Sequence, residues 1–496
     1  MQNVLSEKSI CNKRELILFS IGFIVLVRLI SIGAFGLMPQ DAYYQFYGEH
    51  LALSYFDHPP MIAYILRIFT SLLGRFSFVI KFADSLVTAF SFYFFWRLSD
   101  RFLDAEDAKK SVLLFLSTLM FTILSLVSTP DVPLVLFWII SLINLHSALF
   151  LEKKLCWLSA GLFMGLAFDS KYTAVLLPGG LGLFLLISNK FRSYLYSKHF
   201  FGMLTVFLIT ISPVIIWNVQ HDFASLRFQS QSRMQSIERT NFDIFNFLGF
   251  IGHQAAVLIP ILFFVLIYFL ARESGKFLQR KLSFTQENIF LLSFFIPGFA
   301  VFFLLSFFYW VKLNWTMPAY ITGIIWVSRF FNQRQLIWQV LLSFLIHIAL
   351  AIEIFFYPFH VDSDDTWIGW KELSDQVRIR QQQNPGSFVF SADDYKTSAM
   401  LHYYLNEPVY SQNIIGKPAL QFDYVGTDLK SLTGKNALFI DSDPDFLDNE
   451  DDKPPKELTQ YFDHVEKLDP IWIMRNGTPV RKFSVFSCFD YHPPHG

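Results

Sequence analysis

A helix needs about 20 mostly apolar residues to cross roughly 30 Å of hydrocarbon. Apolar tracts of about that length recur through the first 357 residues, near 15–37, 78–98, 112–128, 131–150, 155–169, 172–188, 199–217, 249–270, 288–309, 316–331 and 335–357. No soluble fold explains so many, so the expected class is a polytopic α-helical membrane protein with about eleven transmembrane helices. The fifth and sixth tracts are short enough to count as one. The first is too long, and lacks the small-residue cleavage site, to read as a removable signal peptide.

The pattern stops near residue 361. Net charge over the whole chain is −1, but this sum hides two bodies. Residues 1–361 carry 27 Lys+Arg against 19 Asp+Glu, and residues 362–496 carry 13 against 22. The first part is therefore slightly basic and the tail acidic, with the charge density of a soluble domain. This balance excludes a strongly basic nucleic-acid binder. Cys11, Cys156 and Cys488 are far apart, which excludes a disulfide scaffold and any metal-ligand spacing among them.

The tail has strand and helix grammar. "SFVFSADDYKTSAMLHYYL" reads as strand, turn and helix, and "NALFIDSD" as a second strand. "IWIMRNGTPVRKFSVFSCF" reads as a hairpin turning at Asn476-Gly477, and the acid-rich 441–452 stretch as a solvated loop. We expect a transmembrane domain over 1–361 with long outer loops at 39–77 and 218–248, followed by a small α/β domain over 362–496. No glycine-rich phosphate loop marks that domain.

Lysine and arginine set the orientation. With a cytoplasmic N-terminus, the inner loops hold 18 of them and the outer loops fewer. Eleven spans then put the tail outside. Residues 43–53 and 61–73 of the first outer loop look like apolar surface helices.

On the outer face the loops gather Asp41, Glu49, Asp57, His58, Asp131, Asp169, Lys171, Asn218, His221, Asp222, Arg227, Arg233, Lys312 and Asn314. Ionisable groups at a hydrocarbon boundary are costly and so are functional candidates, although each alone also reads as a plain loop residue. Asp131 also suits a helix N-terminus, and Lys171 an ion pair. Arg28 and Asp84, both within spans, suggest a buried pair. Tyr43, Tyr44, Tyr47, Trp310 and Trp315 read first as an interfacial aromatic belt, and second as rings that stack on sugar. Two prolines after Asp57-His58 restrict His58 to an extended backbone.

The run "PQDAYYQFYGEHLALSYFDHPP" resembles the first loop of the membrane-embedded GT-C glycosyltransferases related to protein mannosyltransferases and lipid A aminoarabinose transferases. The resemblance continues through "TPDVPLVLFW", "GLAFDSKYTAVLLP", "PVIIWNVQHDFASLRFQ", "NWTMPAY", "GWKELSDQV" and the tail strand, covering nearly the whole chain. It implies a polyprenyl-phosphate-linked sugar as donor, an envelope lipid, glycan or protein as acceptor, and inverting transfer at the periplasmic face.

Inverting transfer needs a carboxylate base for the acceptor hydroxyl and a cation beside the departing phosphate. Asp41 is the first choice for base, with Asp57 and Asp131 as alternatives. His58, Lys171, Arg227, Arg233 and Lys312 are candidates for the phosphate, and Tyr44, Asn218 and His221 for substrate. Two positions depart from the family pattern. Its leading acid falls on Gln40, so Asp41 takes the second acid's place, and His58 stands where some relatives have lysine. No cofactor is implied, although acids of the first loop could hold a divalent cation. A transporter of lipid-linked sugars and an inactive scaffold are the competing classes. The gathering of polar residues on one face and the lack of paired halves favour the enzyme.

Overall fold

The computed structural model describes residues 36–123, 126–232, 242–279, 283–359, 362–426, 428–446 and 454–493. Nearly all of the first apolar tract, with Arg28, lies outside them. The described chain packs into two compact units. One contains residues 58–62 and 82–351, the other residues 36–57, 63–81 and 352–493. The first long loop, expected within the 1–361 domain, thus packs largely with the tail.

The first unit is helical, around a continuous core that includes Phe115, Trp138, Leu142, Trp157, Phe184, Phe290, Phe295 and Trp326. Among the described residues, four helices are long and apolar enough to cross a membrane: Ser77–Ser99, Asp131–Phe150, Gln286–Leu305 and Gln333–Phe356. Two bent pairs pass the same test when each is taken as one span, with bends of 46° between Lys198–Thr210 and Ser212–Gln220 and of 113° between Ile244–Leu258 and Pro260–Leu278. Both bends fall where a proline restarts the helix, Pro213 and Pro260. Leu155–Phe168 and Met317–Ser328 are single but short, and the 112–128 tract breaks at Thr118. Hydropathy counts such pieces as spans because it sees composition and not helix breaks.

The sharper break exposes backbone groups that hydrocarbon cannot satisfy. Gln339, fully buried, satisfies them instead. Its Nε2 donates to the Leu258 carbonyl at 2.9 Å and to Ser117 Oγ at 3.0 Å, and its Oε1 accepts the Leu262 amide at 2.9 Å. Elsewhere Gly161 brings Leu155–Phe168 against Lys198–Thr210 so closely that a Cβ would lie 2.3 Å from the Met203 carbonyl.

The second unit is built on a five-stranded sheet of β1 (Phe388–Phe390), β2 (Val409–Tyr410), β3 (Ala437–Asp443), β4 (Phe462–Arg475) and β5 (Thr478–Tyr491). Their order is β2-β1-β3-β5-β4, with β1 parallel to β2 and β3 and the rest antiparallel. The strand, helix and hairpin read from the tail are all present, with Lys396–Leu405 as the helix. Asn476 and Gly477 have φ of +51° and +81°, the left-handed turn that Asn-Gly favours. The expected 441–452 loop needs correction at its start. Residues 441–443 are strand, where Asp443 accepts from Lys482 of β5 at 3.1 Å. Helices Pro39–Glu49 and Met61–Leu73 match the two expected in the first loop, the former shifted by four residues.

Candidate functional site

In the second unit, Pro39 starts a helix and Asp41 sits in its first turn. The Asp41 carboxylate accepts the Met38 amide at 2.7 Å, as a first-turn acid should, and also takes the Lys81 ammonium. Asp41 is fully buried and Lys81 nearly so. Lys81 was missed in the sequence. Its signal was a lysine inside the apolar run "SFVIKFADSL", the kind of costly charge that applies as much to it as to Asp84.

Asp57 is held by phenols. Tyr43 Oη donates to Oδ1 at 3.3 Å, and Tyr47 Oη donates to the same oxygen. Tyr43 and Tyr47 are buried and engaged, so they are not belt residues. Tyr44 is buried too, its ring packing edge-on against Tyr47. Gln40 Nε2 donates to Asp365 at 2.8 Å. Burial pushes the Glu49 carboxyl up, but His402 and Arg75 beside it outweigh this and hold it at about 2.

In the first unit the centre is Asp131. Lys171 Nζ donates to both its oxygens, at 2.8 and 2.9 Å, and Asn314 Nδ2 donates at 2.6 Å. Asp131 is in the first turn of Asp131–Phe150, but its side chain caps no backbone amide there, because long-range donors take it. It also lines a small, half-open pocket with Thr88, Ser91, Met120, Phe121, Val132, Val135 and Met317. Asp84 accepts from Ser128 at 2.6 Å, while Arg28 lies outside the described residues.

The other candidates of this unit have distinct settings. His58 is half-buried, and the backbone just after its two prolines is pinned by the Met61 amide on the Asp169 carbonyl, at 2.9 Å. The Asn218 amide is spent inside its own turn, donating to the Val214 carbonyl and accepting the Leu226 amide. His221 stacks on Trp217 with ring centres 4.1 Å apart. Arg227 and Lys312 are exposed, and Arg233 lies outside the described residues. As for a cation near Asp41, the Lys81 ammonium already lies on that carboxylate. Among the described residues, metal-ligand spacing occurs at Asp463, Asp490 and His492, all exposed, with His492 Nε2 already on Asp463 at 2.8 Å.

A family model described as dolichyl-phosphate-mannose-protein mannosyltransferase matches residues 57–217. This stretch contains Asp57, His58, Asp131 and Lys171. ArnT from Cupriavidus metallidurans, solved bound to undecaprenyl phosphate, superposes with a TM-score of 0.61 over 95% of this chain and 97% of that one, at 13% identity. The same protein in the apo state gives 0.60 over 96% and 98%, also at 13%. This chain has the GT-C fold. The lipid A galacturonosyltransferase RgtD of Rhizobium johnstonii is 25% identical over 318 residues, 63% of this chain and 64% of that relative. The shared fold covers both the helical part and the small sheet domain, which the apolar tracts and the tail's strand pattern had each implied.

Proposed function

We propose that the chain is an inverting glycosyltransferase of the bacterial inner membrane. It moves one sugar from a polyprenyl-phosphate carrier to an envelope acceptor at the periplasmic face, with lipid A or a related glycolipid foremost and protein second. The similarity to a lipid A galacturonosyltransferase over 318 residues carries this reading, and the GT-C fold shared with ArnT supports it. The soluble part from 362 onward is periplasmic and the N-terminus cytoplasmic, as the lysine and arginine distribution implies.

Asp41 serves as the base. Its carboxylate accepts the acceptor's hydroxyl proton as the oxygen attacks the anomeric carbon, and the glycosyl–phosphate bond breaks with its electron pair going to the phosphate. Lys81 keeps the buried carboxylate paired until then. Lys171 and His58 are assigned to the departing phosphate, with Arg227, Arg233 and Lys312 as further cations. Tyr44 and His221 supply rings for the sugar.

The test is reconstitution in lipid with labelled polyprenyl-phosphate sugars (neutral, amino and uronic) and purified lipid A. Label moving into lipid A with inversion at the anomeric carbon is the expected result. No transfer and no donor consumption with any of the three would overturn the reading.

A further inference from the structure

Gln421 and its neighbours touch none of the candidate substrate groups, yet they converge on one short loop. Gln421 is 3% exposed. Its side-chain oxygen accepts the Phe56 amide at 2.8 Å, one residue before Asp57. Its backbone amide donates to Tyr43 Oη at 3.2 Å, and that same hydroxyl donates to Asp57. The Tyr43 ring stacks on Tyr395 at 4.2 Å, while Phe422 stacks on Phe46 at 4.6 Å and Tyr424 on Phe56 at 5.4 Å. Burial pushes the Tyr43 hydroxyl well above its ordinary value, so it remains a donor.

We infer that the segment 395–424 of the tail is a clamp on the loop of Asp57, whose next residue is the His58 assigned to the departing phosphate, with Gln421 as the positioning residue for sugar transfer. Domain docking alone needs only apolar area, and the aromatic pairs already supply it. A buried amide side chain carries an added cost unless its hydrogen bonds are met. Here the side-chain oxygen is met by the Phe56 amide, on the backbone beside Asp57, while the Gln421 backbone amide donates to the Tyr43 phenol that holds the Asp57 carboxylate. A displacement of about 1 Å at a reacting group can cost on the order of a hundredfold in rate. A loop fixed at both backbone and carboxylate resists such a shift. The tail thus gains a task in the reaction that its lack of a phosphate loop left open.

This inference rests on the proposed transfer reaction, so its experiment has two arms on the full chain in lipid nanodiscs. The variants are Gln421→Met, which keeps volume but removes the acceptor, and Gln421→Glu, which restores a carbonyl acceptor. In the kinetic arm, Gln421→Met should lower kcat about tenfold with KM within about twofold, and Gln421→Glu should recover most of the loss. In the exchange arm, the Phe56 amide should lose protection in Gln421→Met and regain it in Gln421→Glu. Tyr395→Leu provides a second route should Gln421→Met fail to fold, with the same two readouts. Unchanged kcat or unchanged Phe56 protection overturns the clamp. Wild-type protein inactive with every donor overturns the transfer reading instead, and the exchange arm still decides whether the loop is clamped.

Discussion

Among the described residues, each unit of the molecule has an aspartate–lysine pair in which both side chains are buried, Asp131–Lys171 and Asp41–Lys81, and the two are satisfied differently. Asp131 receives three side-chain hydrogen bonds, two from Lys171 and one from Asn314. Asp41 has Lys81 and the amide of Met38, a donor from its own helix start. Buried ion pairs stabilise a fold poorly, because desolvation offsets most of the attraction, but breaking one is costly. Asp131 is thus held by side chains from two distant segments, whereas Asp41 is shared between a distant lysine and the start of its own helix.

Lys81→Met should break this contrast hardest. It removes the cation from a fully buried carboxylate and should cost about 3–5 kcal/mol, read as a loss of Tm in nanodiscs. The double variant Asp41→Leu with Lys81→Met should restore most of that stability while remaining inactive. Full activity in the double variant would show the pair to be structural. Lys171→Met should cost less, about 2–3 kcal/mol, since Asn314 stays on Asp131. An equal loss at the two lysines would remove the asymmetry.

Glu49 gives a smaller, pH-dependent effect. Its carboxyl falls from the ordinary 4.5 to about 2 on folding. A depressed acid contributes stability above its unfolded pKa, and that stability is lost as pH falls through the folded value. The contribution should therefore be complete above about pH 4.5 and fade toward pH 2. With solvent screening it amounts to about 1–2 kcal/mol, and Glu49→Gln should flatten this part of the stability–pH curve. The exposed Arg475–Glu372 pair makes the weakest case, and Arg475→Ala should change stability by about 0.5 kcal/mol or less.

Much of this was legible in the sequence, for physical reasons that differ by region. Asn476-Gly477 favours one tight turn, so the hairpin and its turn are legible, although its first strand begins nine residues before the run read as strand, at Phe462. Asp131 and Lys171 are each conspicuous as charges at helix ends, but nothing local in the sequence pairs one with the other, 40 positions away. The breaks at Pro213, Pro260 and Thr118 within apolar tracts are not legible from hydropathy, which carries no information on helix breaks. Lys81 escaped notice inside a hydrophobic run. Tyr43 and Tyr47 were read as a membrane belt because an aromatic composition does not reveal that their hydroxyls meet Asp57. The contacts of Gln421 join residues more than 360 positions apart, a distance no local pattern spans.

The most direct measurement is initial-rate sugar transfer from polyprenyl phosphate to lipid A by wild type, Asp41→Asn and Asp131→Asn, each checked for folding by Tm. Asparagine keeps the shape of either aspartate but cannot take a proton. Loss of about a hundredfold or more in Asp41→Asn, with a smaller loss in Asp131→Asn, is the predicted result. Transfer unchanged in Asp41→Asn, or abolished only in Asp131→Asn, would contradict Asp41 as the base.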